Sequence, residues 1–232
     1  MKQFMTFSKT IRIRMLLNFF SVFTQTMVMP FTVVYFSKSI GSAMTTAMIL
    51  VIGIISMIGY LIGGRATDHF GRKVIIILSE IVTGIGFIVI CFFDYIPTFY
   101  VTPILIAFSL VYFFQSAANP AYSALIIDSS EASERKLIYT YFMWFSSVAF
   151  SLGTVIGGFF FENHSAFLFL IVGATAFVSS LCTYFLIIEQ PLPQLNHSDV
   201  VDKATKDERI KKNTRRLNMM VFLHPVYFYI YV

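Results

Sequence analysis

Glu80 is the acid set deepest in an apolar run, residues 74–93. A carboxylate in such surroundings is costly and is usually kept for a function. The chemistry open to it is reversible protonation, which makes Glu80 a candidate proton carrier; a structural hydrogen bond near the membrane edge is the competing role. A second group comprises Asn18, Gln25, Tyr112, Gln115, Asn119, Tyr122 and Trp144. Amides, phenols and an indole, with no full charge, suit a ligand of mixed apolar and polar character rather than a sugar phosphate, which calls for Arg or Lys. Hydrogen bonding between helices explains any single one of them equally well. Enzyme chemistry finds no residues to work with. The histidines at 69, 164, 197 and 224 have no second ligand at metal spacing, and no Gly-rich phosphate loop occurs. No catalytic residue, metal or cofactor is expected.

The elements that position these residues follow from composition. Of 232 residues, 57% are hydrophobic, 17% aromatic and only 12% charged. That balance belongs in a bilayer. A crossing needs about 20 apolar residues, and the chain offers runs at 12–36, 42–62, 74–93, 100–127, 138–161 and 166–188. Residues 1–11 form a basic N-terminus, 189–217 a polar basic linker, and 218–232 an apolar stretch too short to span. The net charge of +5 is read as topology rather than as nucleic-acid binding. All Lys and Arg residues except Lys38 fall on one side of a six-crossing path, which puts the N-terminus, the turn near Arg72 and the linker in the cytoplasm. The lipid bilayer is the first partner. Cys91 and Cys182 lie within apolar runs and read as small packing residues.

Polar residues recur on the runs at helical spacing. Asn18, Ser21, Gln25 and Thr32 share one face of the first run, and Tyr112, Gln115, Asn119 and Tyr122 share one face of the fourth. Pro30 and Pro120 stand late in those same two runs, the pattern of an inverted repeat of three helices plus three. Gly59 and Gly63, four apart on the second run, permit a close backbone approach.

Between the second and third runs lies a charged turn, 64–73, with Gly64, Asp68, His69, Gly71, Arg72 and Lys73. Its spacing and place resemble the signature loop of the major facilitator superfamily, with His69 where Arg or Lys is usual. The resemblance implies a cytoplasmic gate built from Gly64, Asp68, Gly71, Arg72, Lys73 and Asp128, in which Asp68 also faces a helix N-terminus of a second half. Gly153, Gly157 and Gly158 resemble the fifth-helix glycine motif of antiporters in that superfamily, although Thr154 replaces the usual Pro, and Thr140 and Ala149 replace earlier glycines. In the superfamily, helices one, two, four and five line a central cavity and helix three packs outside.

The implied fold is therefore an all-α membrane protein. It consists of the six-helix N-terminal bundle of a major facilitator superfamily transporter, a 3+3 inverted repeat, followed by a truncated seventh helix. The implied function is secondary active transport by alternating access, as proton-coupled efflux of drugs or other small molecules from a multi-pass protein of the cell membrane. Partners on this reading are a small-molecule substrate, protons and a C-terminal half. A nutrient or peptide importer, or a non-transporting membrane remnant or scaffold, is the alternative.

Overall fold

A computed structural model describes residues 7–95 and 101–187, all within the first of the two compact units, Met1–Gln190. The linker at 189–217 and the apolar stretch at 218–232 lie outside the described residues. Every regular element described is a helix: α1 (Lys9–Thr26), α2 (Met29–Ile40), α3 (Ser42–Phe70), α4 (Arg72–Tyr95), α5 (Val101–Asp128) and α6 (Arg135–Leu186). Five stretches are long and apolar enough to cross a membrane: Lys9–Lys38, Ser42–Phe70, Arg72–Asp94, Thr102–Asp128 and Arg135–Leu186. Helices suit such surroundings because they satisfy their own backbone groups.

Local chemistry sets the ends. Ser8 caps α1 by accepting from the Ile11 N–H at 3.4 Å. The first apolar run breaks into α1 and α2 at Met27–Val28, just ahead of Pro30, which sits in the first turn of α2 where its missing N–H costs nothing. Gly41 and Gly71 end α2 and α3 with φ of +84° and +89°, a conformation that a Cβ disfavours. The signature turn is accordingly narrower than its ten-residue pattern implies. Helix α3 continues through 64–70, with the Thr67 hydroxyl donating to the Gly63 carbonyl at 2.7 Å, and the turn itself is Gly71.

Helix α6 is 52 residues long, yet it does not run straight. Ser146 and Ser179 would be roughly 50 Å apart on a straight helix. Both, however, are tied to the same level of α1. Asn18 donates to Ser146 at 2.9 Å, while Ser179 donates to Glu80 at 2.7 Å and Arg14, one turn from Asn18, reaches Glu80 at 3.1 Å. The helix therefore doubles back midway, at His164, where φ −139° and ψ 36° leave the helical region. Its first arm runs parallel to α1 and α2, with Gly153 against Thr26, Gly157 against Met27, and Phe161 stacked on Phe31 at 5.6 Å. Its second arm runs antiparallel to α4, with Ser165 at Asp94, Phe169 at Phe87 and Ser179 at Glu80.

Glycine sets the closest approaches. A Cβ on Gly59 or Gly63 would run into the Phe113 or Ala117 carbonyl of α5, whereas one on Gly53 would meet open space. Gly63→Leu is expected to destabilise the bundle by about 1–3 kcal/mol, while Gly53→Ala changes stability by less than about 0.5 kcal/mol. Thermal unfolding of the detergent-solubilised chain checks both, and equal melting temperatures for the two variants would remove α3–α5 contact as the reason for Gly63.

Candidate functional site

The signature loop lies where α3 gives way to α4. Gly71 turns the chain, so the next two cations project from the first turn of α4. Arg72 pairs with Asp128, the last residue of α5, and also donates to the Ala124 carbonyl at 3.4 Å; the two charged side chains are only 16% and 24% exposed. Lys73 reaches a different helix. Its ammonium donates to the carbonyls of Tyr184 and Ile187, each at 2.7 Å, at the end of α6. Asp68 is exposed, and no hydrogen bond or ion pair to it occurs among the described residues. Gly64 faces open space. The structure thus joins Arg72 to Asp128 and leaves Asp68 outside that cluster.

Eight residues into α4, Glu80 is 6% exposed and holds four donors. Oε1 accepts from Arg14 at 3.1 Å, Ser179 at 2.7 Å and Tyr122 at 3.3 Å, and Oε2 accepts from Thr183 at 3.1 Å. The Arg14 guanidinium also lies over the Tyr122 ring, 3.7 Å from its centroid. One face of α4 points outward, with Val74, Leu78, Ile85, Ile88 and Phe92 exposed, while on its inner face one buried carboxylate draws donors from α1, α5 and α6 around it.

The polar stripes separate into distinct environments. Asn18 binds Ser146, Tyr112 donates to the Met29 sulfur at 2.9 Å, and Tyr122 belongs to the Glu80 cluster. Gln25 is half-buried. The side-chain nitrogen of Gln115 is buried with no hydrogen-bond partner among the described residues. Asn119 is exposed, and Trp144 is 72% exposed beside a shallow depression lined by Thr140, Met143, Ser147 and Val148. Of the fifth-run glycines, Gly153 and Gly157 let α6 press on the end of α1, and Gly158 meets Phe31 at an ordinary distance. Among the described residues, no group of three or more His, Cys, Asp or Glu side chains could hold a metal.

The family model described as Major Facilitator Superfamily matches residues 14–232. The chain belongs to this superfamily. Its described helices that are long and apolar enough to cross a membrane accord with that class. It is 24% identical over 180 residues to a "Na(+), Li(+), K(+)/H(+) antiporter" of Planococcus maritimus, covering 77% of this chain and 42% of the relative. It is 26% identical over 169 residues to "Multidrug resistance protein 2" of Bacillus subtilis (strain 168), covering 73% of this chain and 39% of the relative. The chain thus spans about two fifths of the length of these relatives.

Two contributors in this superfamily member escape a reading of the sequence. Arg14 looks like one more flanking cation, yet it is 5% exposed and serves Glu80; its position within the stretch Lys9–Lys38 is the signal that could have marked it. Asp94 looks like the start of a loop, but its carboxylate accepts from the Tyr35 hydroxyl of α2 and from Ser165, next to the bend in α6, at 2.6 Å.

Proposed function

We propose that the chain acts as the N-terminal half of a proton-coupled secondary transporter that exports drugs or other small molecules by alternating access. In this reading it crosses the cell membrane six times as three helices plus three, with its N-terminus in the cytoplasm, and works against a second half of similar size. The observation that carries the reading is the pairing of Arg72, in the signature loop, with Asp128 at the end of α5, since a charged contact that differs between two states is what biases a two-state element. Asp68, exposed beside it, is proposed to meet a helix N-terminus of the second half, where an acid is favoured. Gly64, Gly71 and Lys73 complete the gate. Glu80 is the proposed proton carrier. Asn18, Gln25, Tyr112, Gln115, Asn119, Tyr122 and Trp144 are the proposed cavity residues, and the Gln115 amide nitrogen, which has no hydrogen-bond partner among the described residues, is a proposed donor to substrate.

The name of one relative, the "Na(+), Li(+), K(+)/H(+) antiporter", favours a second reading of the cargo, exchange of a monovalent cation for protons, whereas the name "Multidrug resistance protein 2" favours drug export. Everted vesicles from cells expressing the complete reading frame decide between them, with acridine orange reporting the proton gradient. Ethidium is expected to dissipate the gradient and NaCl or KCl is not. The reverse pattern assigns cation exchange. No response to either, or uptake into intact cells, overturns the export reading.

A further inference from the structure

We infer that Lys73 is a positioning residue that fastens the C-terminal end of α6, so that the two adjacent cations of the signature loop hold two different helix ends. Arg72 holds the end of α5 through Asp128 and the Ala124 carbonyl. Lys73 holds the end of α6 through the carbonyls of Tyr184 and Ile187, and its ammonium lies 5.5 Å from the Tyr184 ring centroid. The last carbonyls of a helix have no partner within it and carry partial negative charge, so an ammonium with several donors is suited to them. Ile187 supports the grip from its apolar side. It is 1% exposed, packed with Ile75, Ile76, Ala121 and Leu125, and its backbone has left the helix, with φ −95° and ψ 118°.

The second arm of α6 is therefore tied to α4 at three levels, by Lys73 at one end, by Glu80 with Ser179 and Thr183 within, and by Asp94 with Ser165 at the other end. Of these, Lys73 alone belongs to the signature loop. A movement of that loop pulls on the point from which the chain continues past Ile187. This consequence for transport rests on the gate reading, whereas the grip itself does not.

Two backbone amides report the two ends separately. The Ile187 N–H bonds the Thr183 carbonyl at 3.4 Å, and the Ser129 N–H bonds the Leu125 carbonyl at 3.1 Å. In hydrogen exchange on the full chain in lipid nanodiscs, Lys73→Gln is expected to speed exchange at Ile187 roughly tenfold, the scale of losing a hydrogen bond from a charged donor, and to leave Ser129 unchanged. Arg72→Gln should do the opposite, and Lys73→Arg should restore protection at Ile187. Unchanged exchange at Ile187 in Lys73→Gln, or equal opening of both ends, overturns the assignment. Should Lys73→Gln fail to fold, acetylation of the unaltered chain by acetic anhydride serves instead. The exposed Lys136 should then react roughly tenfold faster than Lys73, and equal rates overturn the assignment.

Discussion

Arg14→Ala is expected to lower the unfolding free energy by about 3–5 kcal/mol, because it strands the buried Glu80 carboxylate without its counter-charge. The remaining donors, Ser179, Thr183 and Tyr122, are neutral hydroxyls and cannot replace a guanidinium at 3.1 Å. The loss also removes a cation from the face of Tyr122, a contact of about 0.5–2 kcal/mol. Replacing both partners, as Arg14→Met with Glu80→Met, should recover most of the stability, since taking two charges out of water costs nearly as much as their attraction returns. Reversible unfolding in mixed micelles measures the single and double variants together. If the double variant proves as unstable as Arg14→Ala, the cost lies in lost packing and the uncompensated charge is not its cause. The same pair bears on proton coupling. A proton on Glu80 would cancel the charge that faces Arg14, so proton coupling at Glu80 would weaken its hold on Arg14.

Gly59 and Gly63 were legible as a packing face because spacing of four on a helix fixes their direction whatever lies opposite. Arg72 and Asp128 were legible through the resemblance, which supplied a pairing that no local pattern contains. The apolar runs were legible because hydrocarbon thickness sets their length. Arg14 was not legible as a buried partner, because its meaning depends on a carboxylate on another helix. On the first arm of α6, Trp144 shares one helix face with Ser147, Ser151 and Thr154. Ser147, Ser151 and Thr154 donate to carbonyls one turn back in their own helix, at 2.8, 2.9 and 2.9 Å, so their polarity is satisfied without any partner. Trp144, on the same face, is exposed. The bend of α6 falls at His164, in the polar stretch 162–165 between the fifth and sixth apolar runs, where no proline or glycine marks it.

Asp68→Asn and Asp128→Asn are expected to separate a gate from a structural contact. Asp128 is mostly buried against Arg72, so its neutralisation should cost about 1–3 kcal/mol of stability, a loss of charge-assisted bonding discounted for partial exposure. Asp68 is exposed and touches nothing charged among the described residues, so Asp68→Asn should change stability by less than about 0.5 kcal/mol. Transport should respond in the opposite order of specificity. An acid at a helix N-terminus, desolvated in one state only, contributes about 1–2 kcal/mol, which as a bias between states is roughly five- to thirtyfold in rate. Expressed from the complete reading frame, Asp68→Asn should therefore lose antiport in everted vesicles by that factor while melting at the same temperature as the unaltered protein. Full antiport in Asp68→Asn would remove the residue from the gate. A melting temperature that falls with activity would show that Asp68 holds the fold, and the state-dependent contact would then have to be sought at Arg72 and Asp128 alone.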